Sequence, residues 1–493
     1  MNNLFFYPII VFLLITLIAF SASTHAQSIF DSDDDLIFEP DENSHVLSDE
    51  RFDTDSAFDD DAIIDDDAVF SDEVLFQEER QTKNEHADSW YHNQILKDSR
   101  FTLGYDFSNN LALKPSFVTH DTYLRSEIQT LLTDKLFFQF DGRTNLLFDN
   151  DHRTQAHNKS IFINSNLREL FFQMGFDQFN ITVGRQIVVW GKADTQIITD
   201  VVSLRDNSDF IFIKLEDSRF GQLMLSSDIY TQWGNLFIFV SPKPLTDNEP
   251  DQDTQYYIEI PGLDQIIIID DKPTYADTEF GIRWKKNWDK IDLSLMAGYF
   301  FDNTSIYHFS RIDLVQRKPI IEKIYHPYEM IGMAASYVSG AYLFKIETAY
   351  KNRLSLQKVD AVNFDIGAIE KNIVDIGLGI EYNANGRYQI SGEISNRFIP
   401  GATNHLIFTN KDSTSIYTTF TKDFLNDTLM LEYIFFYHVQ EQNNFHQFRL
   451  THDITDNFQM ISSCTFFSMK DKESLLWFYR NEDRLSVTFQ YYF

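Results

Sequence analysis

Apolar and polar residues alternate with a period of two along most of the chain after about residue 100. In residues 372–382, and again in 387–398, one face is apolar and the other is polar and charged. Asn383-Ala384-Asn385-Gly386 joins the two segments with residues that accept positive φ. We therefore predict a β-hairpin with one face toward lipid and the other toward a wet lumen.

The same unit recurs along the chain, and short turns alternate with longer connections such as 191–221, 243–275, 303–324 and 354–371. This arrangement is typical of an all-β, transmembrane, antiparallel up-and-down β-barrel with both termini at the end that carries the short turns. The strand number must then be even. Eighteen strands fit best, and sixteen stay open because the first segment is weak. The predicted strands are 101–107, 120–132, 136–148, 162–175, 179–190, 222–231, 235–242, 276–286, 290–302, 325–338, 341–353, 372–382, 387–398, 414–424, 428–440, 443–453, 457–469 and 483–493.

The two ends of the chain indicate export. Residues 1–26 have the apolar run and the small residues before Ala26 of a signal peptide, and the alternative is an uncleaved anchor. Phe489, Tyr491 and Phe493 alternate with polar residues up to the last position, which resembles the signal read by the outer-membrane assembly machinery. We expect residues 99–493 to form a barrel in the outer membrane of a Gram-negative cell, with membrane lipids and that machinery as partners.

Composition supports a lipid-facing wall and sets the N-terminal region apart. Aromatic residues make up 15% of the chain, with 47 Phe, 23 Tyr and a single Cys, so an intrachain disulfide is excluded. Residues 28–87 hold 22 Asp and Glu against three Lys and Arg, a large share of the net charge of −33. We predict that residues 27–98 form a disordered, acidic periplasmic tail, with a periplasmic binding partner as an alternative. Nucleic acid is excluded as a partner, because its binding depends on cationic contacts.

No motif indicates an enzyme. The chain has no G-x-S-x-G elbow and no His-x-x-x-His motif, and its histidines are mostly one to a segment, although His446 and His452 share one predicted strand six residues apart. The acidic tail contains no Gly, which a calcium-binding EF-hand loop requires at its turn. We predict no catalytic, cofactor-binding or metal-binding residues.

Counting by two along the predicted strands places charges of both signs on the lumen face. Such a set would form a wet lattice of salt bridges, which either lines a channel or only satisfies the wall. The predicted lumen-lining residues are Arg125, Glu127, Asp141, Arg143, Arg283, Lys345, Glu347, Asp375, Glu381, Arg387, Glu393 and Arg397.

The densest motif lies at the end of the fifth predicted strand, where Arg185 interrupts an apolar face. A break of this kind in a regular barrel marks a bulge or a functional site. The segment resembles an uncharacterised, porin-like family of proteobacterial outer-membrane barrels, a domain of unknown function. The positions that match its Arg-Gln, Trp-Gly-charged and Asp elements are Arg185, Gln186, Trp190, Gly191, Lys192, Asp200 and Asp206, with Leu204 where the family has Pro. The resemblance implies transport, in some members together with exporters of hydrophobic compounds, and assigns no substrate.

Residues 191–221 form the third of the long-loop connections, and in general porins the third loop folds into the lumen. We therefore predict a constriction in which Lys192, Asp194, Asp200, Arg205 and Asp206 set a transverse field. The alternative is a brace that holds a surface loop against the wall through Trp190 and Arg185. The expected function is a porin-like channel for passive or selective diffusion of a small solute. Two other functions stay open, namely a partner of an inner-membrane exporter through the acidic tail and a plugged structural or adhesive barrel.

Overall fold

The computed structural model describes residues 99–111, 116–193, 197–212, 215–257, 266–360, 365–384, 386–401, 403 and 406–493. The predicted signal peptide (1–26) and acidic tail (27–98) lie outside these residues, so their roles stay predictions. In chain order the strands are β1 (Ser99–Asn110), β2 (Ser116–Thr133), β3 (Leu136–Leu147), β4 (Phe162–Gly175), β5 (Phe179–Gln186), β6 (Leu204–Arg205), β7 (Arg219–Phe220), β8 (Gln222–Thr231), β9 (Gly234–Ser241), β10 (Ile267–Asp271), β11 (Glu279–Trp288), β12 (Ile291–Phe301), β13 (Ile306–Ile312), β14 (Pro319–Ile324), β15 (Pro327–Ser339), β16 (Tyr342–Asp360), β17 (Asp365–Asn383), β18 (Gln389–Phe398), β19 (Asp412–Phe424), β20 (Leu429–His438), β21 (Asn443–Thr455), β22 (Phe458–Ser468) and β23 (Arg484–Tyr492).

Eighteen of these strands form one closed antiparallel barrel, which confirms the predicted fold class and strand number. The barrel strands are β1–β5, β8, β9, β11, β12 and β15–β23. The barrel closes where β1 pairs with β23, from Thr102 opposite Tyr492 to Asn110 opposite Arg484. The weak first segment is therefore a complete barrel strand that is paired on both sides.

The two ends of the barrel differ in the length of their connections. One end, called the turn end here, carries short turns such as 134–135, 232–233 and 340–341, together with the start of β1 and the end of β23. The other, called the loop end, carries the long connections 148–161, 187–221, 242–278, 302–326, 399–411 and 469–483. The predicted alternation of short and long connections is therefore present.

Two predicted element boundaries differ widely from those in the structure. The predicted loop 354–371 is mostly strand, because β16 and β17 stay paired from Leu354 opposite Lys371 to Asp360 opposite Asp365. This ribbon continues past a bulge at the loop end, and there the two faces no longer divide between lipid and lumen. The predicted strand 179–190 ends earlier, at Gln186, where the chain leaves the wall.

Strand β9 shows which face of the wall is outward. Ile238 and Val240 are 39% and 38% exposed, whereas Phe237 and Phe239 on the opposite face are 7% and 5% exposed. The outward face is apolar, as lipid contact requires. The inward face of this part of the wall is also apolar, and it packs against residues of the connection 187–221 inside the barrel.

The connections contain small additional elements. Strands β10, β14 and β13 form a three-stranded sheet, and β6 pairs with β7. Two short α-helices, α1 (His152–Ala156) and α2 (Leu215–Ser218), and 3-10 turns at Phe210–Phe212 and Leu475–Tyr479 complete the loops. In the part of the chain that the structure describes, no helix is long and apolar enough to cross a membrane.

Candidate functional site: the lumen and its third loop

The connection between β5 and β8, residues 187–221, is named L3. It includes the predicted loop 191–221 and is the third connection at the loop end. Its first half packs against the inward wall, and its second half returns through the pair β6–β7. L3 thereby divides the lumen into two halves. One half is filled by a hydrophobic core, called the packed half, and the other contains a polar cavity, called the polar half.

The packed half is a hydrophobic core inside the barrel. Its centre is Trp190, which is 2% exposed and makes edge contacts with Phe237, Phe239 and Phe300. The buried members of the core are Val188, Trp190, Ile198, Val202, Met224, Phe237, Phe239, Met296, Phe300, Tyr328, Met330, Ala334, Ala349, Leu354, Ile373 and Ile399. Burial of this area holds L3 against β9, β12 and β15–β17.

Wall glycines make room for L3. A Cβ built on Gly332 of β15 would lie 2.6 Å from Cγ2 of Thr199, and one built on Gly377 of β17 would lie 2.7 Å from Cδ1 of Ile198. Real Cβ atoms do not approach other atoms so closely. The close approach of L3 therefore depends on glycine at these wall positions.

Glu347 anchors the start of L3 to the wall. Its side chain lies on the inward face of β16, and the residue is 2% exposed. Oε2 accepts hydrogen bonds from the N–H groups of Lys192 (2.6 Å) and Ala193 (2.8 Å). Oε1 accepts from the N–H (2.8 Å) and the hydroxyl (2.7 Å) of Thr199. One buried carboxylate thus satisfies three backbone donors of L3, as buried polar groups require.

A second carboxylate, that of Asp200, organises L3 internally. Its Oδ2 accepts hydrogen bonds from Arg205 Nη2 (2.7 Å) and Arg219 Nη2 (3.0 Å), and its Oδ1 accepts from the Trp190 N–H (3.3 Å). Lys192 reaches the wall instead, where its Nζ donates to Ser336 Oγ at 2.8 Å. Three of the predicted constriction residues, Lys192, Asp200 and Arg205, therefore help to brace L3, as does Trp190.

Arg185, which the bracing alternative uses, lies outside the lumen. Arg185 pairs with Leu223 and lies on the outward face of β5, so its side chain does not enter the lumen. Its Nε donates to the Gly221 carbonyl (2.9 Å), which ties the two ends of L3 together. Gln186 faces inward and bonds to β8 through Met224 O and Ser226 Oγ. Asp194 lies outside the described residues.

The polar half of the lumen is a cavity of about 370 Å³ between L3 and the wall formed by β1–β4 and β21–β23. Both Arg484 and Tyr492, the first and last residues of β23, line it, so the cavity follows that strand from the loop end to the turn end. Its charged lining consists of Arg100, Arg125, Arg143, Arg153, Arg168, Arg449, Arg484, Asp106, Asp206, Asp209 and Asp217. Of the predicted constriction residues that the structure describes, Asp206 lines this cavity.

The predicted lumen residues divide between the two halves. Arg125 and Arg143 line the cavity, where Arg125 is bound to Asp141 and Glu127. Arg283 donates to the Val189 carbonyl of L3 at 2.8 Å. Six more predicted residues lie on the inward face of β16–β18 and do not line the cavity. These are Lys345, Glu347, Asp375, Glu381, Glu393 and Arg397.

Arg387 is a correction to the predicted lumen set. It lies in the turn between β17 and β18 and is exposed at the turn end, because β18 begins at Gln389 rather than at residue 387. The alternation of inward and outward side chains begins at Gln389, two residues after Arg387, so it does not apply to Arg387.

Several cavity residues were not predicted. Asp217 on α2 of L3 accepts hydrogen bonds from Arg125 Nη1 (3.1 Å) and Arg168 Nη1 (3.0 Å), and so connects L3 to the wall across the polar half. Arg168 lies where the pairing of β3 with β4 shifts, so counting by two does not place it in the lumen. Arg484 could have been found, because it shares the inward face of β23 with Ser486 and Gln490.

The last strand, β23, is paired on both sides, with β22 and with β1. Phe489 and Tyr491 lie on the outward face, where Phe489 stacks on Phe458 of β22. Phe493 donates its N–H to the Phe101 carbonyl at 2.9 Å. Recognition of these three residues by the assembly machinery stays a prediction.

No protein-family model matches the chain, and no curated protein matches it. The resemblance to the uncharacterised porin-like family therefore stays a prediction. Among the described residues, no group of three or more His, Cys, Asp or Glu side chains could hold a metal ion.

Similar solved structures include OccAB1 of Acinetobacter baumannii (TM-score 0.49, 9% identity), with coverage of 80% of this chain and 95% of that chain. OccK8 (OprE) of Pseudomonas aeruginosa has a TM-score of 0.47 at 9% identity over 80% of this chain and 98% of that chain. OmpF of Salmonella typhi, in complex with daunomycin, has a TM-score of 0.41 at 12% identity over 80% and 97%. These likenesses are too remote to assign a function, which is therefore inferred from the geometry of the barrel.

Proposed function

We propose that this chain is an outer-membrane channel through which small solutes diffuse along the polar half of the lumen, with L3 as its constriction. The observation that carries the proposal is the placement of L3. It fills one side of the barrel as a folded core and leaves a polar cavity along β23, from Arg484 to Tyr492. A polar lumen inside an apolar outward wall is what diffusion across a membrane requires.

The orientation follows from the two ends of the barrel. In outer-membrane barrels the short turns face the periplasm and the longer loops face the cell exterior. The loop end, with L3 and the sheet β10–β14–β13, would then face outward, and Ser99 would emerge into the periplasm.

The charge of the cavity favours small anions. Seven arginines and four aspartates line it, and the carboxylates of Glu127, Asp141, Asp121 and Glu432, which pair with four of these arginines, are not part of that lining. A low-dielectric wall concentrates the field of such a lining and raises the local concentration of ions of opposite sign. Permeation should therefore be faster for chloride and small carboxylates than for potassium.

Reconstitution of the refolded mature chain into planar bilayers tests both parts of the proposal. We expect discrete conductance steps in KCl and, under a KCl gradient, a reversal potential whose sign reports preference for chloride. A folded barrel that produces no steps would overturn the channel proposal and favour a plugged structural barrel. A reversal potential of the opposite sign would overturn the anion preference and leave the channel in place.

A further inference from the structure

Arg484 differs from the other arginines of the cavity. It is the first residue of β23, at the loop end, and is 3% exposed. The carbon of its guanidinium group lies 3.9 Å from the ring centroid of Phe212 in L3 and 5.0 Å from that of Tyr256 in the connection 242–278. The two rings fix the plane of the guanidinium, because a cation is attracted to an aromatic face.

The Nε and Nη2 atoms of Arg484 have no hydrogen-bond partner. The other six cavity arginines each form an ion pair with a carboxylate within the described residues. The pairs are Arg100 with Glu127, Arg125 with Asp141, Arg143 with Asp106, Arg153 with Asp121, Arg168 with Asp217, and Arg449 with Glu432. Two unsatisfied donors on a buried guanidinium are costly, at about 1–3 kcal/mol for each group.

The two unpartnered atoms of Arg484, Nε and Nη2, are the same two atoms through which other arginines of this barrel bind a carboxylate. Arg397 donates through Nε and Nη2 to the two oxygens of Asp375, at 2.7 and 2.9 Å. Arg125 donates through the same two atoms to Asp141, at 3.0 and 2.8 Å. These two parallel N–H groups match the geometry of a carboxylate, and such pairs are stronger than hydrogen bonds between neutral groups.

We propose that Arg484 binds the carboxylate of an organic anion as the anion enters the cavity, a role that rests on the proposed channel function. Asp209, the acidic L3 residue near this mouth of the cavity, is already bound to His152 at 3.1 Å and lies 3.7 Å from Arg153. The Nε and Nη2 atoms are covered by protein atoms, so the incoming carboxylate displaces covering side chains. Phe212 of L3, which is partly exposed and lies over the guanidinium, is the side chain that we propose moves.

The test compares Arg484→Lys and Arg484→Gln in planar bilayers, with acetate as the probe. We measure the acetate concentration that halves the chloride current. Because the lost interaction is a two-point, charge-assisted hydrogen bond, we expect this concentration to rise about tenfold in both variants. The lysine variant keeps the positive charge but loses the two parallel N–H groups of the guanidinium, so it separates the effect of geometry from the effect of charge. If Arg484→Lys keeps the sensitivity of the wild type to acetate, the proposal is overturned.

Arg480→Gln is the matched control. Arg480 lies in the connection 469–483, four residues before Arg484, is 4.8 Å from the Trp477 ring and does not line the cavity. We expect this variant to match the wild type. Equal acetate sensitivity of all four proteins would sink the proposal, provided that heat-modifiable migration on gels shows each barrel to be folded.

A binding measurement separates this proposal from the channel function. NMR relaxation of acetate protons in the presence of the detergent-solubilised chain reports binding without conductance. Binding that weakens in Arg484→Gln but not in Arg480→Gln supports the site even if the wild type conducts no current. Conductance with no acetate binding overturns the site and leaves the channel proposal intact.

Discussion

Glu347 of the wall and Thr199 of L3 are 148 residues apart in the chain and are joined by two hydrogen bonds, at 2.8 and 2.7 Å, to the same carboxylate oxygen. The second oxygen of Glu347 accepts from Lys192 and Ala193, so a single side chain holds two points of L3. This contact therefore sets the position of the start of L3, the proposed constriction, against the wall.

Replacement of Glu347 should release L3. Glu347→Ala leaves three buried backbone N–H groups without their acceptor, at about 1–3 kcal/mol for each. We expect tryptic cleavage within residues 187–221 to accelerate about tenfold or more, and the noise of the open-channel current to increase. Glu381→Ala is the control, since Glu381 also faces inward but pairs with Lys345. Equal cleavage rates in the two variants would contradict the anchoring role.

Replacement of a wall glycine by alanine should disturb the docking of L3 only where the glycine contacts L3. Gly377→Ala places a Cβ 2.7 Å from Cδ1 of Ile198, whereas Gly379→Ala, on the same face of β17, finds its nearest atom at 3.3 Å. Overpacking of a core costs about 1–3 kcal/mol. We expect Gly377→Ala to increase the rate of tryptic cleavage of L3 and Gly379→Ala to leave it unchanged. Equal cleavage rates in the two variants would show that the contact between Gly377 and Ile198 does not position the loop.

Neutralising Asp217 should strengthen the preference for anions. Asp217→Asn removes one of the four cavity aspartates, while Arg125 and Arg168 keep their contacts with Asp141. We expect the permeability ratio of chloride to potassium, read from the reversal potential, to rise about two- to fivefold at low salt and less at high salt. Asp251→Asn, in an exposed part of the connection 242–278, should leave the ratio unchanged.

The stability of the loop end should depend on pH through Asp247. Loss of hydration raises the pKa of Asp247 to about 7, and the nearby Asp302 carboxylate contributes, whereas the hydrogen bond from the Arg205 N–H (2.8 Å) opposes the rise. The folded state therefore binds a proton that the unfolded state does not bind between the ordinary pKa of an aspartate and about 7. By linkage, this group adds stability as the pH falls through that range and removes it as the pH rises.

Asp247→Asn tests the pH dependence. The asparagine variant lacks the ionisation, so its stability advantage over the wild type should be largest at pH 8 and should fall to less than about half of that value at pH 5. Urea unfolding of vesicle-bound protein at the two pH values measures this difference. Asp251→Asn is again the control, and an equal pH dependence of the wild type and Asp247→Asn would contradict the assignment.

The eighteen strands could be predicted because lipid and water impose opposite chemistry on alternate residues of the wall. Prediction failed where that contrast is lost. The ribbon at the ends of β16 and β17 lies beyond the bulge at Lys351–Leu354, so it was taken for a loop. Arg185 breaks the apolar outward face, but its partner, the Gly221 carbonyl, lies 36 residues later, so the local pattern did not identify it.

The division of the lumen could not be predicted from local patterns. Phe239 on β9 and Met330 on β15 face inward but are apolar, because they pack against a loop that is distant in sequence. The same holds for the partners of Glu347, which lie about 150 residues before it. Only the third-loop position of 191–221 pointed toward the lumen, and it did not show which residues face the cavity.

The internal core has a consequence for assembly. Strands such as β9, β12 and β15 are apolar on both faces, one for lipid and one for L3. Insertion into the bilayer covers only the first of these faces. The second stays in contact with water until L3 docks, so we expect these strands to be the part of the unassembled chain that is most prone to aggregation.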